Sequence, residues 1–174
     1  MRRLLLLRHA KTETDAPSGR DFDRRLDDRG LQDAAAMGAW LDRHPPQPDL
    51  VCVSTAARAR QTWDLIAAEL DVQPVVAHLD ELYSAGPAEL LAVIRAAAVE
   101  DPATLMIVGH NPGLHELALG LIGGGDANGR RAIASNLPTG GIVIIDFAIE
   151  DWNDVAFRGG QLAQFVSPKL LKGE

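Results

Sequence analysis

The sequence has a single cysteine, Cys52, among its 174 residues. One cysteine forms no internal disulfide and cannot supply the thiolates of a multi-cysteine zinc site. No apolar run approaches the roughly 20 residues that a membrane-spanning helix needs. Four leucines at positions 4–7 are stopped by Arg8 and His9, so they are too few for the apolar region of a signal peptide. We therefore expect a cytoplasmic protein with no membrane partner.

The sequence also has fewer basic than acidic residues. The chain carries 17 Lys and Arg against 24 Asp and Glu, a net charge of −7. Such a chain repels polyanions overall, so we expect no nucleic-acid partner, although a locally basic cleft can still hold a small anion. The length fits one domain covering residues 1–174.

Alternating strand and helix signals predict an α/β fold. Short apolar runs predict strands at residues 4–7, 50–53, 74–77, 104–108, 142–147, 155–158 and 162–166. Helical periodicity covers residues 26–43 and 56–70, a third helix begins at Pro87, and a fourth has Asn111 as N-cap and Pro112 in its first turn. Residues 123–129, rich in glycine, are predicted to form a loop. The pattern indicates a three-layer sandwich, with a mostly parallel sheet, an antiparallel edge strand, and helices on both faces.

Several polar residues follow the predicted strands directly. In open α/β sheets, sites form beyond the carboxyl ends of the strands, so these residues are expected to converge on one rim. They are Arg8, His9, Arg58, Glu81 and His110.

This combination suits phosphoryl transfer. A neutral imidazole is a good nucleophile near pH 7, and guanidinium groups match the oxygens of a phosphoryl group. A second imidazole adds a donor, and a carboxylic acid can protonate the leaving group.

At these positions the sequence resembles the histidine phosphatase superfamily, also called phosphoglycerate mutase-like, and in particular its short SixA-type phosphohistidine phosphatases. Ala10 stands where that family usually has glycine, and Thr55 where it often has proline. The segments that carry the resemblance are residues 7–10 (LRHA), 24–30 (RRLDDRG), 53–62 (VSTAARARQT), 79–83 (LDELY) and 108–112 (VGHNP).

The resemblance implies a phosphoglycerate mutase-like fold in a short form without a large lid insertion. It makes His9 the phosphorylated nucleophile, Arg8, Arg58 and His110 the phosphate pocket, and Glu81 the general acid. It implies no metal or other cofactor. The substrate is then phosphohistidine on a protein or, alternatively, a small phosphomonoester such as a sugar phosphate or a nucleotide. Oligomeric state stays open.

Two other functions fit part of the pattern. Cys52 and Arg58 have the C-x5-R spacing of cysteine-dependent phosphatases, but the five intervening residues contain no glycine to wrap around a phosphate. A non-catalytic phosphate-binding module would use Arg8 and Arg58 but has no need of His9. Roles for Lys11 and Arg24 are not determined by the sequence.

Overall fold

A seven-stranded sheet forms the centre of the molecule in a computed structural model, which describes residues 1–173. The strands are β1 (Arg2–Arg8), β2 (Leu50–Ser54), β3 (Val75–Leu79), β4 (Thr104–Gly109), β5 (Ile122–Gly125), β6 (Ile142–Phe147) and β7 (Gly160–Val166). They lie side by side in the order β3-β2-β4-β1-β6-β7-β5.

Most of these strands run in one direction. β1, β2, β3 and β4 pair in parallel, and β5 is parallel to β7. β6 runs antiparallel to both β1 and β7. The mostly parallel sheet is therefore confirmed, but the antiparallel strand lies inside the sheet and not at its edge.

Helices cover both faces of the sheet, as expected for a three-layer sandwich. They are α1 (Asp28–Arg43), α2 (Ala57–Ala67), α3 (Pro87–Ala96), α4 (Gly113–Leu121), α5 (Ala127–Ile133) and α6 (Pro168–Leu171). Leu4 and Leu6 of β1 pack into the core formed with α3 and α4, whereas Leu5 and Leu7 pack into the core formed with α1 and α2. Because alternate side chains of a strand face opposite sides, both faces are buried and the strand is apolar throughout. None of the helices within the described residues is long and apolar enough to cross a membrane.

The chain after α4 differs from the prediction. Residues 123–129 were expected to be a loop, but they contribute to strand β5 and helix α5. A Cβ atom on Gly123 would lie 2.0 Å from the Arg158 carbonyl oxygen, and one on Gly125 would lie 2.4 Å from the backbone of Leu162. Glycine is therefore needed here for the close approach of two backbones, and not to make a loop. Residues 155–158, expected to be a strand, form a turn in which Arg158 has a φ of 68°.

The start of α4 also differs in detail. Pro112, and not Asn111, occupies the N-cap position, and the helix begins at Gly113. The Asn111 side-chain amide instead donates a hydrogen bond to the Leu137 carbonyl oxygen at 2.9 Å. Asn111 thus ties the start of α4 to the segment before β6.

Candidate active site

The carboxyl ends of three neighbouring parallel strands, β2, β4 and β1, meet at one edge of the sheet. Ser54 is the last residue of β2, His110 follows β4, and Arg8 and His9 lie at the end of β1. The His9 amide donates to the Gly109 carbonyl oxygen at 3.1 Å, which extends the β1–β4 pairing up to His9. The two histidine rings lie with their centroids 5.3 Å apart. Both histidines therefore lie at the carboxyl edge of the sheet, as expected from the ends of their strands.

The His9 ring is buried and held in one orientation. Its Nδ1 lies 2.8 Å from the Ala10 carbonyl oxygen. A carbonyl oxygen only accepts, so Nδ1 carries the hydrogen and Nε2 of the neutral ring carries a free lone pair. Burial lowers the pKa of His9 to about 3; the Ala10 carbonyl opposes this, and the charges of His110, Arg58 and Arg8 add to it. At neutral pH the ring is therefore uncharged, as a nucleophile must be.

The His110 ring is fixed by Ser54. Its Nε2 lies 2.7 Å from Ser54 Oγ, while its Nδ1 is buried with no hydrogen-bond partner among the described residues. The Ala56 amide donates to the same hydroxyl oxygen at 3.3 Å, which leaves the Ser54 hydrogen free to point at His110. Burial lowers the pKa of His110 to about 4; the charge of Arg58 adds to this effect and that of Asp21 opposes it.

Two guanidinium groups flank the histidines. Arg8 donates from one terminal nitrogen to the Leu137 carbonyl oxygen at 3.0 Å, and burial together with the charge of Arg58 lowers its pKa. Arg58 is only 6% exposed and donates to the Asp21 backbone oxygen at 2.8 Å and to the Asp21 carboxylate at 3.0 Å. The Nε atoms of both arginines are buried, and neither has a partner in residues 1–173. Two positively charged guanidinium groups therefore lie near each other, and each has an Nε–H group that is free to donate to a ligand.

Asp21 and Tyr83 complete the surroundings of Arg58. The Tyr83 hydroxyl donates to Asp21 Oδ2 at 2.6 Å, and Arg24 Nε lies 3.1 Å from Asp21 Oδ1. This hydrogen bond from Tyr83, with the charges of Arg58 and Arg24, holds the pKa of Asp21 below its ordinary value. Asp21 is therefore a carboxylate that binds Arg58 from the side of the loop preceding α1.

A cleft of about 370 Å³ opens onto this group. Its charged lining residues are Asp21, Arg58 and Glu116, alongside His110 and Tyr83. The charged lining of the cleft is therefore one guanidinium group and two carboxylates. Across residues 1–173, no group of three or more His, Cys, Asp or Glu side chains is placed to hold a metal ion.

Comparison with known proteins agrees with this geometry. A family model described as the histidine phosphatase superfamily (branch 1) matches residues 4–86. A solved structure from Nakamurella multipartitia, assigned as the phosphohistidine phosphatase SixA, is 31% identical, with a TM-score of 0.82 over 96% of each chain. Another with the same assignment, from Agrobacterium tumefaciens, is 31% identical, with a TM-score of 0.79 over 96% of this chain and 99% of that one. The uncharacterized protein ML1117 of Mycobacterium leprae is 32% identical over 94% of this chain and 100% of its own.

The chain belongs to the histidine phosphatase superfamily. It is accordingly a phosphatase of the class that uses a histidine nucleophile. Four of the five site residues expected from the sequence, Arg8, His9, Arg58 and His110, are brought together in the structure.

Glu81 is not brought to this site of the histidine phosphatase. It lines a separate cavity of about 250 Å³ together with Cys52 and Glu100. The reason lies in the 3₁₀ turn Asp80–Leu82, in which Leu82 is buried in the core. The turn presents Tyr83 to the cleft and Glu81 to the other cavity, so the carboxylate beside Arg58 is Asp21.

Cys52 lies in the middle of β2, paired with Ala77 and Ile107 on the neighbouring strands. Burial raises the pKa of its thiol to about 11, with the charges of Glu100 and Glu81 adding to the effect. A thiol of this kind does not form the thiolate that a nucleophile requires. The structure therefore contradicts a cysteine-dependent mechanism through Cys52 and Arg58.

Sequence reasoning did not identify Asp21 or Tyr83 as site residues. Tyr83 belongs to the quoted segment 79–83, so its position there was the available signal. Asp21 lies in the polar stretch before α1, where no periodicity or strand end marks it. Of the residues whose roles were open, Arg24 pairs with Asp21, whereas the Lys11 side chain is exposed.

Proposed function

We propose that this histidine phosphatase removes the phosphoryl group from phosphohistidine on a protein, through a phosphorylated His9 intermediate. One observation carries the proposal. Three buried nitrogens, Nε of Arg8, Nε of Arg58 and Nδ1 of His110, lack hydrogen-bond partners in the described part of the chain, around a neutral His9. A buried donor left unpaired costs about 1–3 kcal/mol, and phosphoryl oxygens would satisfy all three.

In the first step, His9 Nε2 attacks phosphorus in line with the bond to the leaving group. The His9 Nε2–P bond forms, the P–N bond of the substrate breaks, and the departing imidazole keeps the electron pair and takes up a proton. Arg8, Arg58 and His110 hold the equatorial oxygens, on which negative charge is spread. The Ser54 hydroxyl donates to His110 Nε2, so that Nδ1 carries the hydrogen aimed at the phosphoryl group.

Water completes the reaction. It attacks phosphorus opposite His9, the Nε2–P bond breaks, and inorganic phosphate leaves with the water oxygen. The Ala10 carbonyl keeps the hydrogen on Nδ1 throughout, so Nε2 regains its lone pair for the next cycle.

The cleft supports phosphohistidine over an anionic phosphomonoester. The carboxylates of Asp21 and Glu116 line the same cleft as Arg58 and His110. These two charges favour an imidazole that leaves in protonated form over the uncharged alcohol that leaves a sugar phosphate or a nucleotide. The carboxylates stabilise the protonated ring, and imidazole leaves phosphorus more readily when the ring is protonated than when it is neutral.

The test compares substrates and traps the intermediate. A phosphotransfer domain phosphorylated on histidine, p-nitrophenyl phosphate and a nucleoside monophosphate are offered to the wild type and to His9→Ala. An alkaline quench preserves phosphohistidine, and mass spectrometry then locates the phosphoryl group. We expect the phosphoprotein to have the highest kcat/KM, label on His9, and no turnover by His9→Ala.

The matched control is Cys52→Ala, which keeps wild-type activity on all three substrates. Preference for the nucleotide would reject the phosphohistidine assignment while leaving the His9 mechanism intact. Label on another residue, or activity in His9→Ala, would reject the mechanism itself.

A further inference from the structure

A second cationic concavity lies away from the active site. A groove of about 450 Å³ is lined by Arg130 and Arg131 of α5 and by Arg158, over a floor that includes Leu119, Ile122 and Ile133. We name this surface the arginine groove. Ile122 directly follows α4 and pairs with Gly160 at the start of β7.

The arginine groove is remote from His9. The catalytic cleft lies at the beginning of α4, whereas Leu119 and Ile122 lie at its end. The nine residues of α4 span about 13 Å at ~1.5 Å per residue. Ligands of the groove are therefore separate from the phosphoryl group at His9.

The positive charges of the arginine groove are not paired with carboxylates of the protein. Elsewhere on the surface Arg2, Arg3 and Arg24 are paired with aspartates, but in residues 1–173 no carboxylate lies within 4.0 Å of the guanidinium groups of Arg130, Arg131 and Arg158. This is a marked concentration in a chain of net charge −7. Three neighbouring cations without counter-charges favour an anionic partner.

Arg158 is held in the groove at a conformational cost. Its φ of 68° lies in the left-handed region, which favours glycine, although two glycines follow it in the sequence. Its amide donates to the Gly120 carbonyl oxygen at 2.9 Å, and its own carbonyl lies against Gly123 of β5. The turn thus fixes an arginine where a glycine would fit with less strain.

Apolar surface accompanies the charge. Leu119 is 39% exposed and Phe157, beside Gly120, is 49% exposed. A nucleic-acid backbone carries phosphates but no apolar side chain to place on this floor, so it matches only the charge of the groove. An acidic peptide segment with an apolar side chain matches both features.

We propose that the arginine groove docks an acidic segment of a protein partner, with its carboxylates on Arg130, Arg131 and Arg158 and an apolar side chain on Leu119 and Ile122. The proposal does not depend on the identity of the substrate at His9.

The test uses a fluorescent peptide of repeated Glu-Glu-Leu, the same peptide with serine for leucine, and an oligothymidylate of equal length. Fluorescence anisotropy at low and high NaCl measures binding to the wild type and to the double variant Arg130→Glu/Arg131→Glu. The matched control is Arg43→Glu/Lys169→Glu, which changes the net charge equally on exposed helix ends elsewhere.

We expect the Glu-Glu-Leu peptide to bind the wild type and the control variant alike, and to bind the groove variant roughly tenfold more weakly or worse. The serine peptide is expected to bind more weakly, and salt to weaken both peptides. An active-site variant, His110→Gln, is expected to bind the Glu-Glu-Leu peptide as the wild type does. Equal melting temperatures of both variants exclude misfolding as the cause.

Three outcomes would overturn the proposal: equal loss of binding in both variants, loss of peptide binding in His110→Gln, or tighter binding of the oligothymidylate. None of these bears on turnover at His9, so failure here is distinguishable from failure of the proposed function.

Discussion

The two buried histidines make the stability of the protein depend on pH. The folded-state pKa values of His9 and His110 are about 3 and about 4, whereas a histidine in an unfolded chain titrates at about 6.5. Below this value the unfolded chain takes up protons that the folded chain does not. Stability contributed by the two neutral rings is therefore complete above about pH 7 and is lost as the pH falls.

The size of the loss follows from the same values. Between about pH 7 and about pH 5, each ring lowers the free energy of unfolding by about 2 kcal/mol, so the pair lowers it by about 4 kcal/mol. In a chain of this length, 1 kcal/mol corresponds to about 2–4 °C in melting temperature. We therefore expect the histidine contribution to reduce the melting temperature by about 8–16 °C over this range.

Differential scanning calorimetry of the wild type, His9→Gln and His110→Gln at several pH values measures this effect. Each glutamine variant is expected to lose about half of the histidine contribution to the pH dependence. Sulfate should stabilise the wild type more at pH 5 than at pH 7, because a bound dianion favours protonated His110. Identical slopes in all three proteins would refute the claim that burial keeps these rings neutral.

Three further changes test other parts of the site. Asp21→Asn removes one of the two cleft-lining carboxylates, and we expect the preference for phosphohistidine over a nucleoside monophosphate in kcat/KM to fall about fivefold, a modest effect because this side chain is half exposed. Glu81→Gln is expected to leave kcat within about twofold of the wild type, since Glu81 lies in another cavity; a loss like that of a general acid, about 100-fold, would contradict its placement. In Gly113→Ala the new Cβ would lie 2.0 Å from the Ala85 carbonyl oxygen, so thermal unfolding should occur several degrees lower. Gly86→Ala, whose nearest contact would be 3.9 Å, is its control.

The sequence predicts best those strands whose burial leaves a continuous apolar run in the sequence. β1, β2 and β4 are covered on both faces, so each is an uninterrupted apolar run, and their carboxyl ends locate His9, Ser54 and His110. β5 has the sequence IGGG, which gives no strand signal. The glycines of β5 are needed because the backbones of Arg158 and β7 approach this strand closely. That contact is made only in the folded chain, so the sequence pattern does not reveal it.

The sequence pattern also fails to predict which carboxylate lies at the site. Glu81 and Tyr83 are two residues apart, and only the direction of the buried Leu82 between them decides which one reaches the cleft. Asp21 reaches Arg58 from the loop that precedes α1, across 37 positions of sequence. Neither outcome follows from local pattern, because both depend on tertiary packing around the 3₁₀ turns Asp21–Asp23 and Asp80–Leu82.

Burial imposes opposing demands on the two kinds of residue in the site. The burial that keeps His9 neutral also takes the guanidinium groups of Arg8 and Arg58 out of water, and it lowers the pKa of Arg8. The Leu137 carbonyl and Asp21 offset part of this cost by accepting from the terminal nitrogens of the arginines. The three donors left unpaired would cost about 3–9 kcal/mol in a dry interior, which is comparable with the whole stability of a domain. An anion that accepts from these donors removes this cost, so phosphoryl binding is coupled to the stability of the fold.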